Sequence, residues 1–340
     1  MSLARAIETG DLAELPSRRD EDWRWTDLRG LIREMPAASL AVVGDIGPGP
    51  FDLVADGVTC ILNGRRQGAD ARKGGVEALR VVSRGDGAHA SRHAVSVARG
   101  ETLALLESYE GQGDHVAEFG LAVSVAGGGR LERIVLADEP AGAVLVSRAE
   151  VTLAPGAHFA QTVITSGARR QRFETRVTHP GGGATARLDG VYLAADQRHS
   201  DITTVVTHDG VGGTTDQLTK GVVRDQGRGV FQGRIVAQPG ADKTDARMGH
   251  HALVLSDRAE VDAKPELEIF ADDVACAHGN TVGALDEDAL FYAEQRGIPA
   301  EAARAMLTEA FVGEVVDRIG HEGAREIVRA WVAERLGVSQ

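Results

Sequence analysis

The segments PGAHFAQTVI (residues 155–164), GGATARLDGVYLA (182–194) and PGADKTDARMGHHALVL (239–255) share one plan. Each opens with a glycine-containing turn and continues into a stretch in which apolar and polar residues alternate, as in a half-buried strand. A recurring unit of turn and strand is typical of stacked coils. The spacing between the units is irregular, so the repeat by itself is weak evidence.

The alternation of period two extends from about residue 119 to residue 283 and predicts around ten short strands. No helix-length pattern interrupts this region, which excludes folds that alternate strands and helices. A sandwich, a barrel and a β-solenoid remain. The recurring unit, and the scarcity of two-residue hairpin turns, favour the solenoid. Composition agrees, because 42 glycines and only 4% aromatic residues suit a narrow interior filled by small and β-branched side chains.

Helical patterns flank this region. Apolar residues recur at spacings of three and four up to about residue 35, the pattern weakens between 37 and 98, and helical periodicity returns after Gly283. We therefore predict a mainly β protein with three parts. These are an N-terminal helical and mixed α/β region (1–118), a β-solenoid core (119–283) and a C-terminal helical region (284–340).

The chain is acidic, with 37 lysines and arginines against 50 aspartates and glutamates. A net charge of −13 argues against nucleic acid or an anionic membrane as the main partner. No apolar run approaches the length of a membrane span, and the N-terminus lacks a signal-peptide pattern. Two cysteines, Cys60 and Cys276, cannot form a disulfide framework. These features predict a cytoplasmic protein without a membrane partner.

Common catalytic motifs are absent from the sequence, and one segment, PELEIFADDVACAHG at residues 265–279, stands out. If it is a continuous strand, Cys276 and His278 point to the same side, about 7 Å apart. A thiolate and an imidazole suit iron or zinc. Two ligands do not complete a site, so the others must come from His250, His251 or His208, or from another chain. The alternative is that Cys276 belongs to the core and His278 to the surface.

Histidines 250 and 251 are adjacent on a predicted strand. Neighbouring side chains on a strand point to opposite faces, so the two cannot bind one ion together without a bulge. An ordinary surface role is the simpler interpretation for both.

The stretch from 258 to 300 resembles the SufB/SufD family of iron–sulfur cluster assembly proteins. The resemblance rests on P-x-L-E-I-x-A-D-D-V-x-C-x-H-G, on FYAEQRGIP (291–299), on FQGRIVAQPGADKTDAR (231–247) and, more loosely, on EDWRWTDL (21–28). The chain departs from the family at MGHHALVLS (248–256), where relatives carry a polar, Asn-containing run.

The resemblance implies a right-handed parallel β-helix between helical ends and a non-catalytic scaffold role. It implies assembly with a SufB-like paralogue and a SufC-like ATPase, with a nascent Fe–S cluster at the junction between the solenoid subunits. It assigns Cys276 and His278 to that cluster, and it leaves open whether a flavin binds the complex. It also places the ATPase on the C-terminal helical region, at the residues Phe291, Tyr292, Arg296, Gly297, Ile298 and Pro299.

Two other functions are compatible with the residues alone. A β-helix enzyme acting on polysaccharide needs a charged cluster in a groove and a route of secretion. A stand-alone homodimeric solenoid would use the same edge for self-association.

Overall fold

A computed structural model describes residues 1–42, 46–68 and 74–337. The chain forms a parallel β-solenoid of about seven turns, with helices toward both termini, which confirms the predicted fold class. Successive strands alternate between two sheets. Odd-numbered strands and β2 build a ten-stranded sheet, and even-numbered strands from β4 onward build a seven-stranded sheet.

The first half of the solenoid contains nine strands: β1 (Gly57–Leu62), β2 (Arg65–Gln67), β3 (Val76–Arg84), β4 (Ala88–Val97), β5 (Thr102–Gln112), β6 (Val116–Val125), β7 (Arg130–Asp138), β8 (Val144–Leu153) and β9 (His158–Thr165). The second half contains eight: β10 (Arg170–His179), β11 (Thr185–Ala194), β12 (His199–His208), β13 (Thr214–Val223), β14 (Arg228–Ala237), β15 (Asp245–Val254), β16 (Glu260–Ile269) and β17 (Ala275–Gly283). The helices are α1 (Leu3–Thr9), α2 (Glu287–Gln295), α3 (Ala300–Val316) and α4 (Glu322–Leu336).

The coils differ slightly in length, which explains why the repeat is weak in sequence. Val76 pairs with Ala104, 28 residues further on, whereas Thr214 pairs with Asp245, 31 residues further on. Parallel pairing in register places side chains of successive coils on top of one another. The turns absorb the length differences, so the strands stay aligned while the sequence loses a fixed period.

The solenoid begins earlier than the predicted boundary at residue 119. Strand β1 already pairs in parallel with β3, and complete coils run from Val76 onward. The predicted mixed α/β connector between residues 37 and 98 is thus partly solenoid. Strand β4 was missed because the half-buried Ser91 and His93 put polar residues on the face that should be apolar, opposite the exposed face that carries Arg92.

The lumen of the solenoid holds the largest hydrophobic cluster, and one aromatic ring there depends on a glycine. Tyr192 on β11 is fully buried and stands in register with Gly221 on β13. A Cβ at Gly221 would overlap the Tyr192 ring. The ring therefore lies across the empty glycine position, and its hydroxyl reaches His250 on β15 at 2.9 Å.

The two flanks cover opposite outer faces. Helices α3 and α4 pack Val312 and Val328 against outward residues of the ten-stranded sheet, among them Ile134. The N-terminal region packs Leu3 and Leu28 against outward residues of the seven-stranded sheet. Burial of apolar side chains on both outer faces attaches each flank to the solenoid.

Residues 20–28, which we call the N-terminal strap, are not the helix that their apolar spacing predicts. Only a short 3-10 turn, Glu21–Trp23, forms there. Trp23 instead packs under the guanidinium of Arg172, 4.4 Å from Arg172 Cζ to the ring centroid. The contact joins residues nearly 150 positions apart, so no local pattern could indicate it.

The two ends of the solenoid differ. At the first coil, β2 pairs antiparallel with β1 and covers the edge of the ten-stranded sheet. Residues Ala37 to Ser39 hydrogen-bond to Ala88 at the edge of the seven-stranded sheet. At the other end, no described strand pairs with the outer edges of β16 and β17.

Candidate functional site

The open end of the solenoid is formed by β16, the turn at 270–274 and β17, which we call the terminal coil. Strand β17 is exposed along most of its length, and β16 is only half-buried. Phe270 in the turn and Val282 on β17 are large apolar side chains that face solvent, 60% and 49% exposed. Edge strands with free backbone groups and exposed apolar residues are sites of pairing with another chain.

The turn at 270–274 corrects the prediction of one extended run from 265 to 278. It divides the run into β16 and β17, which belong to different sheets. The predicted alternation therefore does not carry across the segment. Within β17 it holds: Cys276 stands in register with Ala246, and His278 with Met248. Ala246 and Met248 are both buried in the lumen with Phe231, so Cys276 and His278 lie on the lumen side of the open end.

Cys276 is half-buried and packs on the cluster formed by Phe231, Ile235, Ala246 and Met248. Burial raises the pKa of the Cys276 thiol. The group is therefore a neutral thiol near pH 7 and becomes a thiolate ligand when a metal replaces its proton.

His278 is exposed at the rim, beside Cys276. The described part of the chain contains no group of three or more His, Cys, Asp or Glu side chains arranged to hold a metal ion. Cys276 and His278 thus form at most part of a ligand set, and a complete set requires donors from elsewhere.

His250 is not the surface residue that the sequence suggests. Its ring is buried and stacks on Phe231 at a centroid distance of 4.7 Å. Nδ1 of His250 lies 2.7 Å from Asn280 Oδ1, and Nε2 lies 2.9 Å from the Tyr192 hydroxyl. Burial lowers the pKa of His250 to about 4, so the ring is neutral at pH 7. Both ring nitrogens already have a hydrogen-bond partner.

The other histidines considered as ligands also lie apart from Cys276. His251 points to the opposite face from His250 and contacts the Thr281 hydroxyl at 2.7 Å. His208 lies on β12, where it stacks on His179 with centroids 4.3 Å apart. Burial, followed by the neighbouring His179, lowers the pKa of His208 to about 3. None of the three completes a site with Cys276 and His278.

Asn280 is a residue of the open end that the sequence reasoning missed. It stands in register with His250, two positions beyond His278, so β17 presents Cys276, His278 and Asn280 on one face. The spacing C-x-H-x-N was the available signal, since alternate residues of a strand share a face. These three side chains offer a thiol, an imidazole and an amide group at a strand edge where a second chain could pair.

The segment from Phe291 to Pro299 forms a second exposed surface. Phe291 and Tyr292 on α2 are 63% and 62% exposed, and the Arg296 guanidinium stacks on the Tyr292 ring at 4.9 Å. Gly297, with φ of +84°, ends the helix in a left-handed conformation that glycine adopts readily. Ile298 is half-buried and Pro299 precedes α3.

The fold is a parallel β-solenoid whose last coil leaves two strand edges without a described partner, with Cys276 and His278 on its lumen side. Residues 80–311 match the family model for the SufBD core domain of SUF system FeS cluster assembly. The chain belongs to the SufBD family, which confirms the resemblance seen in the sequence. It is a SufD-like protein with a role in iron–sulfur cluster assembly.

Two of the similar proteins match nearly the whole chain, and a third matches a part of it. It is 28% identical to the iron–sulfur cluster assembly protein SufD of Escherichia coli K12, covering 98% of this chain and 91% of the relative. It is 28% identical to a SufBD family protein of Mycobacterium leprae, covering 97% and 93%. It is 32% identical to SufD of Bacillus subtilis over 43% of this chain and 33% of that protein. No helix in the described residues is long and apolar enough to cross a membrane.

Proposed function

We propose that this chain is a non-catalytic scaffold subunit that pairs through its terminal coil with a SufB-like solenoid. At that junction it offers His278 and Cys276 to a nascent Fe–S cluster, which is the cargo of the complex. A SufC-like ATPase docks on the exposed surface from Phe291 to Pro299. Family membership supports the role in cluster assembly, and the exposed edges support the mode of pairing.

The observation that carries the proposal is the coincidence of free strand edges and metal donors. Cys276 and His278 lie on β17, an edge strand of the ten-stranded sheet whose outer side has no partner strand among the described residues. Soft sulfur and imidazole donors suit iron, and two donors do not complete a tetrahedral set. A second chain that pairs with this edge brings its own side chains to the same place.

The charge of the terminal coil favours a different chain over a second copy as the partner. The coil carries one lysine, Lys264, and six acidic residues, which are Glu260, Asp262, Glu266, Glu268, Asp272 and Asp273. Arg228 and Arg234 of β14 neutralise part of this charge from the preceding coil. Two identical coils would still bring acidic edges together, which is unfavourable, whereas a basic edge would be attracted.

We expect His278→Ala to reduce cluster formation by the reconstituted complex at least severalfold. The exposed imidazole has no hydrogen-bond partner within the described residues, so its loss removes a metal donor without disturbing the lumen. The measurement is the visible absorbance of the cluster after anaerobic reconstitution with the SufB-like and SufC-like subunits. His251→Ala is the matched control, because its half-exposed imidazole lies one coil earlier and on the opposite face. Equal cluster yield in the His278 variant and the wild type would remove His278 from the site.

We expect the double variant Phe291→Ser, Tyr292→Ser to weaken binding of the SufC-like ATPase by at least about tenfold, since exposed aromatic anchors dominate many interfaces. Point variants are preferable to removing 284–340, because that truncation would expose Ile134 and its neighbours beneath α3 and α4. Affinity is measured by titration of the purified subunits. Leu40→Ser, at a residue that is 82% exposed on the N-terminal side, should bind normally. Unchanged affinity of the double variant would place the ATPase elsewhere.

A further inference from the structure

Five arginines line one pocket of this acidic protein. The pocket has a volume of about 640 Å³ and lies between the N-terminal region and the start of β10. Its charged lining consists of Arg18, Arg19, Arg29, Arg33 and Arg170, with Asp27 as the single carboxylate. The local charge is thus strongly positive in a chain whose net charge is −13. Such concentration of one sign in a concave site raises the local concentration of ions of the opposite sign.

Most of these guanidinium groups have no partner of their own. Within residues 1–42, 46–68 and 74–337, the side chains of Arg18, Arg19, Arg33 and Arg170 make no hydrogen bond and no ion pair. Other arginines of the chain differ: Arg80, for example, binds Glu110 through two hydrogen bonds of 2.9 and 2.7 Å. The positive charge of these four side chains is therefore not paired with a carboxylate of the described residues.

Two other side chains of the pocket are held in place by the backbone. Nε of Arg29 donates to the Leu15 carbonyl at 3.1 Å, and its Nη2 donates to the Ala13 carbonyl. The Asp27 carboxylate accepts a hydrogen bond from the Gly30 amide at 2.8 Å. These bonds fix the loop that carries the arginines, and in the part of the chain that the structure describes no carboxylate pairs with Arg29.

Arg170 supplies an independent indication of a ligand. Its Nε is buried and has no hydrogen-bond acceptor among the described residues. Burial, and then the positive charge of Arg228, lower the pKa of Arg170. Buried charged donors are normally hydrogen-bonded, because an unmatched one destabilises the fold. An anion in the pocket would supply the missing acceptor.

We propose that this pocket binds the phosphate group of a small-molecule anion. Guanidinium groups match the oxygens of phosphate with paired hydrogen bonds. The volume lies within the range of ordinary small-molecule sites and leaves room for more than one phosphate. No residue of the terminal coil lines the pocket, so this proposal stands or falls independently of the cluster-binding role.

The test is calorimetric titration of the full-length protein with pyrophosphate, at an ionic strength matched with sodium chloride. Arg18→Gln combined with Arg33→Gln removes two exposed, unpartnered guanidinium groups and should leave the fold intact. We expect this variant to bind pyrophosphate at least about tenfold more weakly, because it lacks two of the guanidinium groups that would form charge-assisted hydrogen bonds with the phosphate oxygens. Arg92→Gln combined with Arg258→Gln changes the net charge equally at exposed arginines outside the pocket and should bind as the wild type does.

A second arm uses Arg170→Gln, which keeps a hydrogen-bond donor at the buried position but removes its charge. We expect the same direction of effect, with unfolding measured in parallel to verify the fold. Comparison of inorganic phosphate with pyrophosphate shows whether one phosphate group is sufficient. Absence of binding beyond that of chloride, or equal weakening in the Arg92 and Arg258 control, would overturn the proposal.

Discussion

Replacing Arg172 by methionine should lower the free energy of unfolding by about 3 to 5 kcal/mol, the range measured when one partner of a buried ion pair is removed. Arg172 is fully buried and donates to Asp201 at 2.8 Å and to Glu174 at 2.8 and 2.9 Å. It also donates to the Asp22 carbonyl at 2.7 Å and covers Trp23. The substitution leaves two buried carboxylates without their main cation and loosens the N-terminal strap.

The effect should depend on pH in a defined direction. Burial alone would raise the pKa of Glu174, but Arg172, followed by Arg176 and Arg148, outweighs it and holds this pKa at about 2. A carboxyl whose pKa is depressed by folding stabilises the protein above its unfolded pKa, near 4.5, and this stabilisation is lost as pH falls toward 2. The stability difference between wild type and Arg172→Met should therefore narrow as pH falls from 5 toward 2.

Arg176→Met is the matched control for this prediction. Arg176 lies on the same strand and binds the same carboxylate, with 2.6 Å from its Nε to Glu174 Oε1, but its side chain is 37% exposed. Exposed pairs contribute little, so we expect a loss of about 1 kcal/mol or less. Both variants are compared with wild type by urea unfolding of the purified chain. Similar small losses in both would show that burial of Arg172 does not govern the stability of this cluster.

Gly221→Ala should destabilise the solenoid by about 1 to 3 kcal/mol, as expected when a packed core receives an extra methyl group. The added Cβ would overlap the Tyr192 ring, which is enclosed by the lumen on all sides. Displacement of the ring would also break its hydrogen bond to His250. The effect therefore reaches β15, two strands of the sheet away from Tyr192.

Thermal and urea unfolding measure this loss. Gly75→Ala is the control, because among the described residues a Cβ there would meet the Thr102 carbonyl oxygen alone, at an ordinary distance of 3.7 Å. We expect the control to unfold within about 0.5 kcal/mol of wild type, as surface changes usually do. If Gly221→Ala were equally harmless, the Tyr192 ring would have space that its buried position does not indicate.

The sequence predicted the solenoid well where a strand has a buried and a polar side, as in residues 150–153 on β8, where Val151 and Leu153 are buried and Glu150 and Thr152 are exposed. It failed where the determining contact is distant. Trp23 lies at helical spacing from its neighbours, yet Arg172 and the seven-stranded sheet decide its position. The turn at 270–274 was missed because Ala271 and Ala275 continue the apolar alternation of Leu267 and Ile269, while the chain changes sheets between them.

The candidate site was predictable in part. Because Cys276 and His278 are two residues apart in the sequence, a strand at this position was sufficient to place both on one face. The burial of His250 was not predictable, since it depends on Tyr192, 58 residues earlier, and on the space above Gly221. Asn280 could have been recognised because it follows His278 by two residues and so lies on the same face of the strand. The pocket of five arginines brings residues 18 to 33 beside Arg170, and only the docking of the N-terminal region on the solenoid creates it.

The unequal ends of the solenoid set a limit on assembly size. At the first coil, the three-residue strand β2 covers part of β1, and the backbone at Ala37 to Ser39 bonds to the start of β4. The terminal coil, in contrast, leaves the full outer edges of β16 and β17 without a partner strand among the described residues, and a partner that pairs there as proposed would cover both edges. Pairing of this kind ends after a single step. A protein built of stacked strands, whose open edges could otherwise propagate into a fibre, is in this way restricted to discrete, countable complexes.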